Sequence, residues 1–216
     1  MITDGIIFDV DGTLWDSTPV VAKAWIEALK ETGYDKVDIT PDRLKGLFGL
    51  PMDDIIRDIL PQASSEERKR VTPVVYRYED EYLRRESGVV YPKLHETLRE
   101  LAKRTRLFVV SNCQAGYVEL FCEKTGLTDV FTDHLCPGDT GLLKADNIKR
   151  IVSDYDLKYP VYVGDTIMDE KACKQAGCPF VFAGYGFGKA ENPIFVINEP
   201  MDLIEIVEEK GEGLCN

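Results

Sequence analysis

The stretch that decides the fold is IIFDVDGT, residues 6–13. Three apolar residues lead directly into an aspartate and a glycine soon follows, which is the pattern of a short buried strand that stops at a loop. Asp9 and Asp11 stand two residues apart where this strand ends, so we expect both carboxylates to project toward one region beyond the sheet edge. Adjacent carboxylates repel each other unless a cation screens them or one acid stays protonated. These are the states that a metal-bound nucleophile and a general acid require.

Two other interpretations compete for this acidic pair. A calcium-binding loop is excluded because glycine follows at the fourth position rather than the sixth, and because a strand rather than a helix precedes it. A surface turn rich in aspartate stays open on these residues alone. The rest of the chain has to decide between a turn and a reactive site.

Three later apolar runs resemble the first one. They span residues 107–110, 161–163 and 180–182, and each ends in small or polar residues. Between the runs, apolar residues recur at the i, i+3, i+4 spacings of helices. Such alternation favours a parallel sheet covered by helices on both faces, with a ligand site at the carboxyl ends of the strands. The sequence therefore predicts an α/β fold with a Rossmann-like parallel sheet core.

Residues 16–86 differ from the rest because they show helical patterns and no convincing strand. Prolines interrupt helix interiors and favour first turns, so they are expected to divide this segment into about four helices. These prolines are Pro41, Pro51, Pro61 and Pro73. We therefore predict an inserted α-helical cap domain over residues 16–86 and a catalytic core formed by residues 1–15 and 87–216.

Polar residues at the later strand ends are weaker candidates when taken singly. Ser111 and Asn112 could bond phosphoryl oxygens, although a helix N-cap is the ordinary explanation. Lys144, in the first turn of a helix, opposes the helix dipole, which slightly favours a functional role over the default of a solvated lysine. Asp169 follows Asp165 by one helical turn, so both can face one point and serve octahedral magnesium, while an N-cap role for Asp165 also stays open.

Taken together, these motifs resemble the haloacid dehalogenase-like hydrolase superfamily, in which four motifs at successive strand ends surround one phosphoryl group. The resemblance covers essentially the whole chain and rests on residues in the family's order, namely Asp9, Asp11, Ser111, Lys144, Asp165 and Asp169. It implies a phosphomonoester hydrolase that acts on a small phosphorylated metabolite.

The resemblance also implies a role for each residue. Asp9 would attack phosphorus, and Asp11 would protonate the departing alkoxide and then activate water. Mg²⁺ would be held by the carboxylates of Asp9 and Asp165 and by the backbone carbonyl of Val10, with support from Asp169. The phosphate-binding residues would be Ser111, Asn112 and Lys144.

Substrate choice is expected to lie in the cap. Residues 43–52 look like the substrate-facing cap segment of phosphoglycolate phosphatase-like members, in which case Arg43 or Lys45 would pair with a substrate carboxylate. Exposed cations at a helix end are the competing explanation. β-Phosphoglucomutase relatives share the core and cap class and would return the phosphate to a sugar. Phosphonoacetaldehyde hydrolase relatives, which use a cap lysine as a Schiff base, rank last, with Lys23 or Lys45 in that role.

A phospho-acceptor signalling domain is the non-enzyme alternative, because such domains also combine an aspartate, further acids, a lysine and Mg²⁺ on a parallel sheet. The position of the aspartate argues against it. A receiver accepts phosphate in the middle of its chain and carries no helical insertion after its first strand.

Composition limits the class of protein. The 216 residues carry a formal net charge of −12, and 44% of them are hydrophobic, which allows one full core plus a smaller unit. The negative field opposes polyanions, so nucleic acid is not an expected partner, whereas a small phosphorylated metabolite needs only local cations and a metal. The six cysteines form no CxxC pair and are expected to be reduced, and no apolar run approaches the roughly 18 residues of a membrane span. We therefore expect a cytoplasmic monomer or homodimer without membrane contact.

Overall fold

The computed structural model describes residues 1–209 of the chain. The strands within this range are β1 Gly5–Phe8, β2 Trp15–Asp16, β3 Val89–Val90, β4 Arg106–Val110, β5 Asp133–Leu135, β6 Pro160–Gly164, β7 Phe180–Ala183 and β8 Phe195–Ile197. The helices in the same range are α1 Thr18–Glu31, α2 Pro41–Lys45, α3 Met52–Ile59, α4 Ser65–Arg85, α5 Leu94–Leu101, α6 Tyr117–Thr125, α7 Pro137–Thr140, α8 Lys144–Asp154, α9 Ile167–Ala176 and α10 Asp202–Glu209.

Six of the described strands form one sheet in the order β5-β4-β1-β6-β7-β8, and every neighbouring pair runs parallel. β1 is central because it pairs with β4 on one side and with β6 on the other. Helices occupy the crossovers between the strands as far as β7, and the carboxyl ends of the parallel strands open on one edge of the sheet. The predicted α/β fold with a Rossmann-like parallel sheet is confirmed.

The apolar runs exist because the sheet is buried on both faces. Along β1, Ile6 and Phe8 pack into one buried cluster and Ile7 packs into the other. The cluster on the Ile6 face continues into the helices of residues 18–85, where Trp25 and Leu44 belong to it. The core of the sheet and the interior of the helical segment are therefore one continuous apolar body.

Helices α1 to α4 lie between β2 and β3, which pair with each other as a short antiparallel ribbon. Prolines and capping residues mark where three of these helices begin. Pro41 occupies the first turn of α2 behind the capping residue Thr40, and Pro51 precedes the first turn of α3. Ser64 and Glu67 form a capping box at the start of α4.

Pro73 departs from the prediction, because it lies inside α4 and does not divide the segment. A proline inside a helix lacks the N–H that would bond the preceding turn, so it normally ends or kinks the helix. Here Val71 and Val75, on either side of it, are fully buried. Their burial offsets the missing bond and holds the helix through the proline.

Two observations on the described residues concern membrane spans and cysteines. No helix within residues 1–209 is long and apolar enough to cross a membrane. The described cysteines are all free thiols, namely Cys113, Cys122, Cys136, Cys173 and Cys178. Cys215, the remaining one, lies outside the described residues.

Candidate active site

The candidate residues come together because the central strands β4, β1 and β6 are neighbours. Asp9 follows β1, Ser111 follows β4 and Asp165 follows β6, while Lys144 opens α8 and Asp169 lies in the first turn of α9. All five side chains are buried. The parallel sheet thus places acids, a hydroxyl and a lysine from distant parts of the sequence at one edge.

Lys144 is the cation of this cluster. Its Nζ lies 2.9 Å from Asp9 Oδ1 and 2.7 Å from Asp169 Oδ1. Burial alone would lower the pKa of Lys144, but the two carboxylates outweigh it and hold the pKa above its ordinary value. The same two ion pairs explain why a lysine stands in a first helical turn against the helix dipole. The expectation of a solvated lysine is wrong.

Asp169 is fixed in place by its own helix. The second carboxylate oxygen of Asp169 accepts the backbone N–H of Thr166 at 3.0 Å and its hydroxyl at 2.7 Å, in a reciprocal capping box. Thr166 therefore is the N-cap of α9. One oxygen of Asp169 serves the helix start and the other serves Lys144.

Asp165 lies beneath the loop formed by residues 184–189. Its Oδ2 accepts the backbone N–H of Phe187 at 2.7 Å. A Cβ at Gly12 would lie 2.1 Å from Asp165 Oδ2, and a Cβ at Gly186 would lie 2.2 Å from Asp165 Cβ. Glycine is required at both positions because backbone from two loops closes directly on this carboxylate.

Carboxylate oxygens of Asp9, Asp165 and Asp169 all lie within 4.8 Å of one another. Burial raises the pKa of both Asp9 and Asp165. The negative charge of Asp169 raises both further. Three buried acids against the single charge of Lys144 leave the cluster short of positive charge. An all-oxygen set with this deficit can hold a hard divalent metal ion.

The backbone carbonyl of Val10, predicted as a further metal ligand, faces the turn that follows β1, and its role as a ligand stays a prediction. Its carbonyl oxygen already accepts the backbone N–H groups of Leu14 at 2.8 Å, Thr13 at 3.2 Å and Trp15 at 3.3 Å. The carbonyl thus points into the turn that follows β1, where backbone N–H groups are its hydrogen-bond donors.

Asp11 lies at the entrance to the cluster. Its Oδ1 accepts hydrogen bonds from the hydroxyl of Ser17, from the hydroxyl of Tyr117 at 2.9 Å and from the indole N–H of Trp15 at 3.1 Å. Burial raises the pKa of Asp11 to about 7, against the opposing effect of the Ser17 bond, and the charge of Asp9 adds to the rise. A carboxyl with this pKa can both give and take a proton near neutral pH.

The chain matches the haloacid dehalogenase-like hydrolase family over residues 6–183. It belongs to this family. Among its relatives are proteins named phosphoglycolate phosphatase from Vibrio parahaemolyticus and Aquifex aeolicus. Each is 29% identical, over 94% of this chain and over 95% and 96% of the relative, respectively.

Solved structures agree on the haloacid dehalogenase-like fold. A haloacid dehalogenase-like family hydrolase from Streptococcus pneumoniae superposes with a TM-score of 0.82 at 20% identity, covering 95% of this chain and 98% of that one. A subfamily IA hydrolase of the same superfamily from Geobacter sulfurreducens gives 0.70 at 16% identity, covering 94% and 96%.

In this haloacid dehalogenase-like hydrolase, Arg43 and Lys45 make their contacts outside the cavity that Asp9, Asp11 and Ser111 line. Arg43 bonds the carbonyl oxygen of Asp38, and its guanidinium lies 3.6 Å from the carboxylate of Asp58. Lys45 Nζ lies 3.0 Å from Asp16 Oδ2 and 5.6 Å from the ring centroid of Phe187. Neither side chain lines that cavity.

Ser111 and Asn112 face different partners. Ser111 bonds the carboxylate of Asp9, which lowers the pKa of that acid slightly against the effect of burial. The side-chain amide of Asn112 donates to the carbonyl oxygen of Gly49 at 2.9 Å. Asn112 therefore joins the sheet edge to the helical segment.

Sequence reasoning missed several residues of the site. Trp15 and Ser17 follow the acidic pair closely enough that their polar groups could have been flagged as partners of Asp11. Tyr117 lies 106 residues away from Asp11 and Glu79 lies in the middle of a helix, so neither carries a local signal.

Proposed function

We propose that this hydrolase is a Mg²⁺-dependent phosphomonoester hydrolase that forms a phospho-aspartate on Asp9. The observation that supports it is the pairing of a buried Asp9, bonded by Lys144 and Ser111, with Asp11, whose pKa of about 7 suits proton transfer. One group is placed to attack and the other is placed to move the proton.

In the proposed reaction, a carboxylate oxygen of Asp9 attacks phosphorus as the ester bond breaks, and Asp11 gives its proton to the departing alkoxide. Asp11, now ionised, then takes a proton from water, which attacks the acyl phosphate and restores Asp9. Lys144 and Ser111 orient Asp9 and neutralise phosphoryl oxygens.

Mg²⁺, held by the carboxylates of Asp9, Asp165 and Asp169, would add positive charge where the phosphoryl oxygens gather negative charge. Magnesium suits the site because its ligands are all oxygens and because the cluster is short of positive charge.

We further propose that residues 16–86 act as a cap over a core formed by residues 1–15 and 87–216. Two hydrogen bonds support this division, since Asn112 and Gln114 of the β4 loop reach across to Gly49 and Glu79 of the helical segment. A cap in this position would exclude water from the acyl phosphate until the leaving group departs.

The substrate would be a small phosphorylated metabolite. Relatives named phosphoglycolate phosphatase make phosphoglycolate the first compound to assay. The test is phosphate release with Mg²⁺ from a panel that also holds sugar phosphates, nucleoside monophosphates, pyrophosphate and 4-nitrophenyl phosphate, with β-glucose 1-phosphate isomerisation followed alongside.

Asp9→Asn should lose all measurable turnover, whereas Asp35→Asn, which removes an exposed aspartate, should keep it. Substantial turnover by the Asp9 variant contradicts the covalent mechanism. Isomerisation without phosphate release converts the assignment to a mutase.

A further inference from the structure

A cavity lies between the phosphoryl site and the helical segment. On the sheet side it is lined by Asp9, Asp11 and Ser111, and on the helical side by apolar residues and by Glu79. Asp9 is the attacking residue, so the part of a substrate that leaves after attack has to lie in this cavity, on the Asp11 side.

The charges around this cavity are all of one sign. Its described lining residues include the acids Asp9, Asp11 and Glu79 and no lysine, arginine or histidine. Lys144 neutralises Asp9 and Asp169 from behind and does not line the cavity. A leaving group with a carboxylate would therefore meet further carboxylates and no cation.

Glu79 is the unusual member of the lining. The buried positions of α4 repeat every four residues, and they are Val71, Val75, Glu79 and Leu83. An apolar residue at position 79 would continue this stripe, and stability alone favours one there, since an ionised side chain loses its hydration on burial. The carboxylate is only 4% exposed, and burial raises its pKa.

The partners of Glu79 are neutral donors. The indole N–H of Trp25 reaches Oε2 at 2.7 Å, and the side-chain amide of Gln114 reaches Oε1 at 2.9 Å. Both oxygens are therefore acceptors, which is the pattern of a carboxylate rather than of a protonated acid. Each oxygen keeps acceptor capacity beyond its one N–H bond, and no lysine, arginine or histidine among residues 1–209 forms an ion pair with either.

We propose that Glu79 selects the leaving group, and that this subsite takes a phosphomonoester whose leaving group carries a hydroxyl or ammonium donor and no anionic group. This inference rests on the proposed phosphohydrolase function. A donor-bearing leaving group fits because it supplies the hydrogen that the remaining lone pairs of Glu79 lack. A carboxylate such as that of phosphoglycolate is repelled, because like charges in a buried site have little water to screen them.

The test compares kcat/KM for glycerol 1-phosphate, phosphoethanolamine, phosphoglycolate and 4-nitrophenyl phosphate. The wild type should prefer the better of the first two over phosphoglycolate by about tenfold or more, a ratio that one hydrogen bond to a charged group can supply. Glu79→Gln should reduce that preference by about tenfold, chiefly through KM, with 4-nitrophenyl phosphate as the reference substrate for both proteins. Glu81→Gln, which changes a partly exposed glutamate paired with Arg77 and Arg85 on the same helix, is the matched control and should leave the preference unchanged.

Either of two results overturns the inference, namely phosphoglycolate as the best substrate of the wild type or an unchanged preference in Glu79→Gln. Failure of the proposed function looks different, because then no compound releases phosphate, 4-nitrophenyl phosphate included. In that case calorimetric binding of phosphoethanolamine and phosphoglycolate to the Asp9→Asn protein still ranks the two ligands. Tighter binding of phosphoglycolate refutes the role of Glu79 without any turnover.

Discussion

Replacing Asp11 with asparagine should abolish turnover and yet make the folded protein more stable. Burial raises the pKa of Asp11 from an ordinary 3.8 to about 7, so the folded state binds this proton more tightly than the unfolded chain does. Below pH 3.8 both states are protonated and the shift costs nothing. As pH rises, the unfolded chain ionises first, stability is lost, and the loss is complete above about pH 7.

The size of the effect follows from the shift. At about 1.4 kcal/mol for each pKa unit, the folded protein loses about 2 kcal/mol at pH 5 and about 4 kcal/mol at pH 8. Asparagine cannot ionise, and its Oδ1 still accepts from Ser17, Tyr117 and Trp15. A neutral acceptor forms weaker hydrogen bonds, which lowers the free energy of unfolding of the variant by an amount that hardly changes with pH. The quantity that tests the reasoning is therefore the change with pH of the stability difference between variant and wild type.

Urea unfolding from pH 5 to pH 8, followed by tryptophan fluorescence with EDTA present, measures this slope. The advantage of Asp11→Asn over the wild type should grow by about 2 to 3 kcal/mol across the range. Asp35→Asn controls for the loss of one negative charge from an acidic protein and should show no such growth. A difference that stays constant with pH refutes the reasoning, as does a variant that becomes relatively weaker at pH 8.

Three further outcomes are expected. Lys144→Met should inactivate the enzyme and lower the free energy of unfolding by about 3 to 5 kcal/mol, because it leaves buried acids unpaired; wild-type stability in chemical denaturation would contradict this. Gly186→Ala should lower activity and raise the Mg²⁺ concentration needed for half-maximal activity, since its Cβ would lie 2.2 Å from Asp165 Cβ. Gly46→Ala, whose Cβ would have its nearest atom at 3.4 Å, should leave both unchanged. EDTA should silence the wild type and Mg²⁺ restore it, and full activity after rigorous metal removal would exclude the metal role of Asp165.

The sheet was predictable because its signal is local and strong. Buried parallel strands are continuous apolar runs, and each run ends in polar or small residues where the chain turns out at the sheet edge. The short strands β5 and β8, with three residues each, carry too little of this signal to be found. At Pro73 the local signal is strong but misleading. Proline usually ends a helix, whereas here the burial of Val71 and Val75 keeps α4 continuous through it.

The site was predictable to the extent that its residues lie at strand ends. Lys144 shows the limit, since its environment is created by two acids that are 135 and 25 residues away in the sequence. Val10 shows another, because the direction of a carbonyl depends on the turn that follows it and leaves no mark in the residue type. Glu79 has no such sequence signal, because a glutamate in the middle of a polar helix is expected to be solvated. Only the packing of the helix shows that it is buried.

The loop after β4 contacts both the carboxylate of Asp9 and the helical segment. Ser111 bonds the carboxylate of Asp9, Asn112 donates to Gly49, and Gln114 donates to Glu79, so three of the four positions 111–114 contact either Asp9 or the helical segment. Since this loop extends directly from β4, which is buried beside β1, its backbone has little freedom to adjust one contact without moving the others. Separation of the helical segment from the sheet edge would therefore strain the loop that orients Asp9. Substitution of Gln114 should therefore change leaving-group binding and the orientation of Asp9 together, so its effects should not add to those of substitutions at either site.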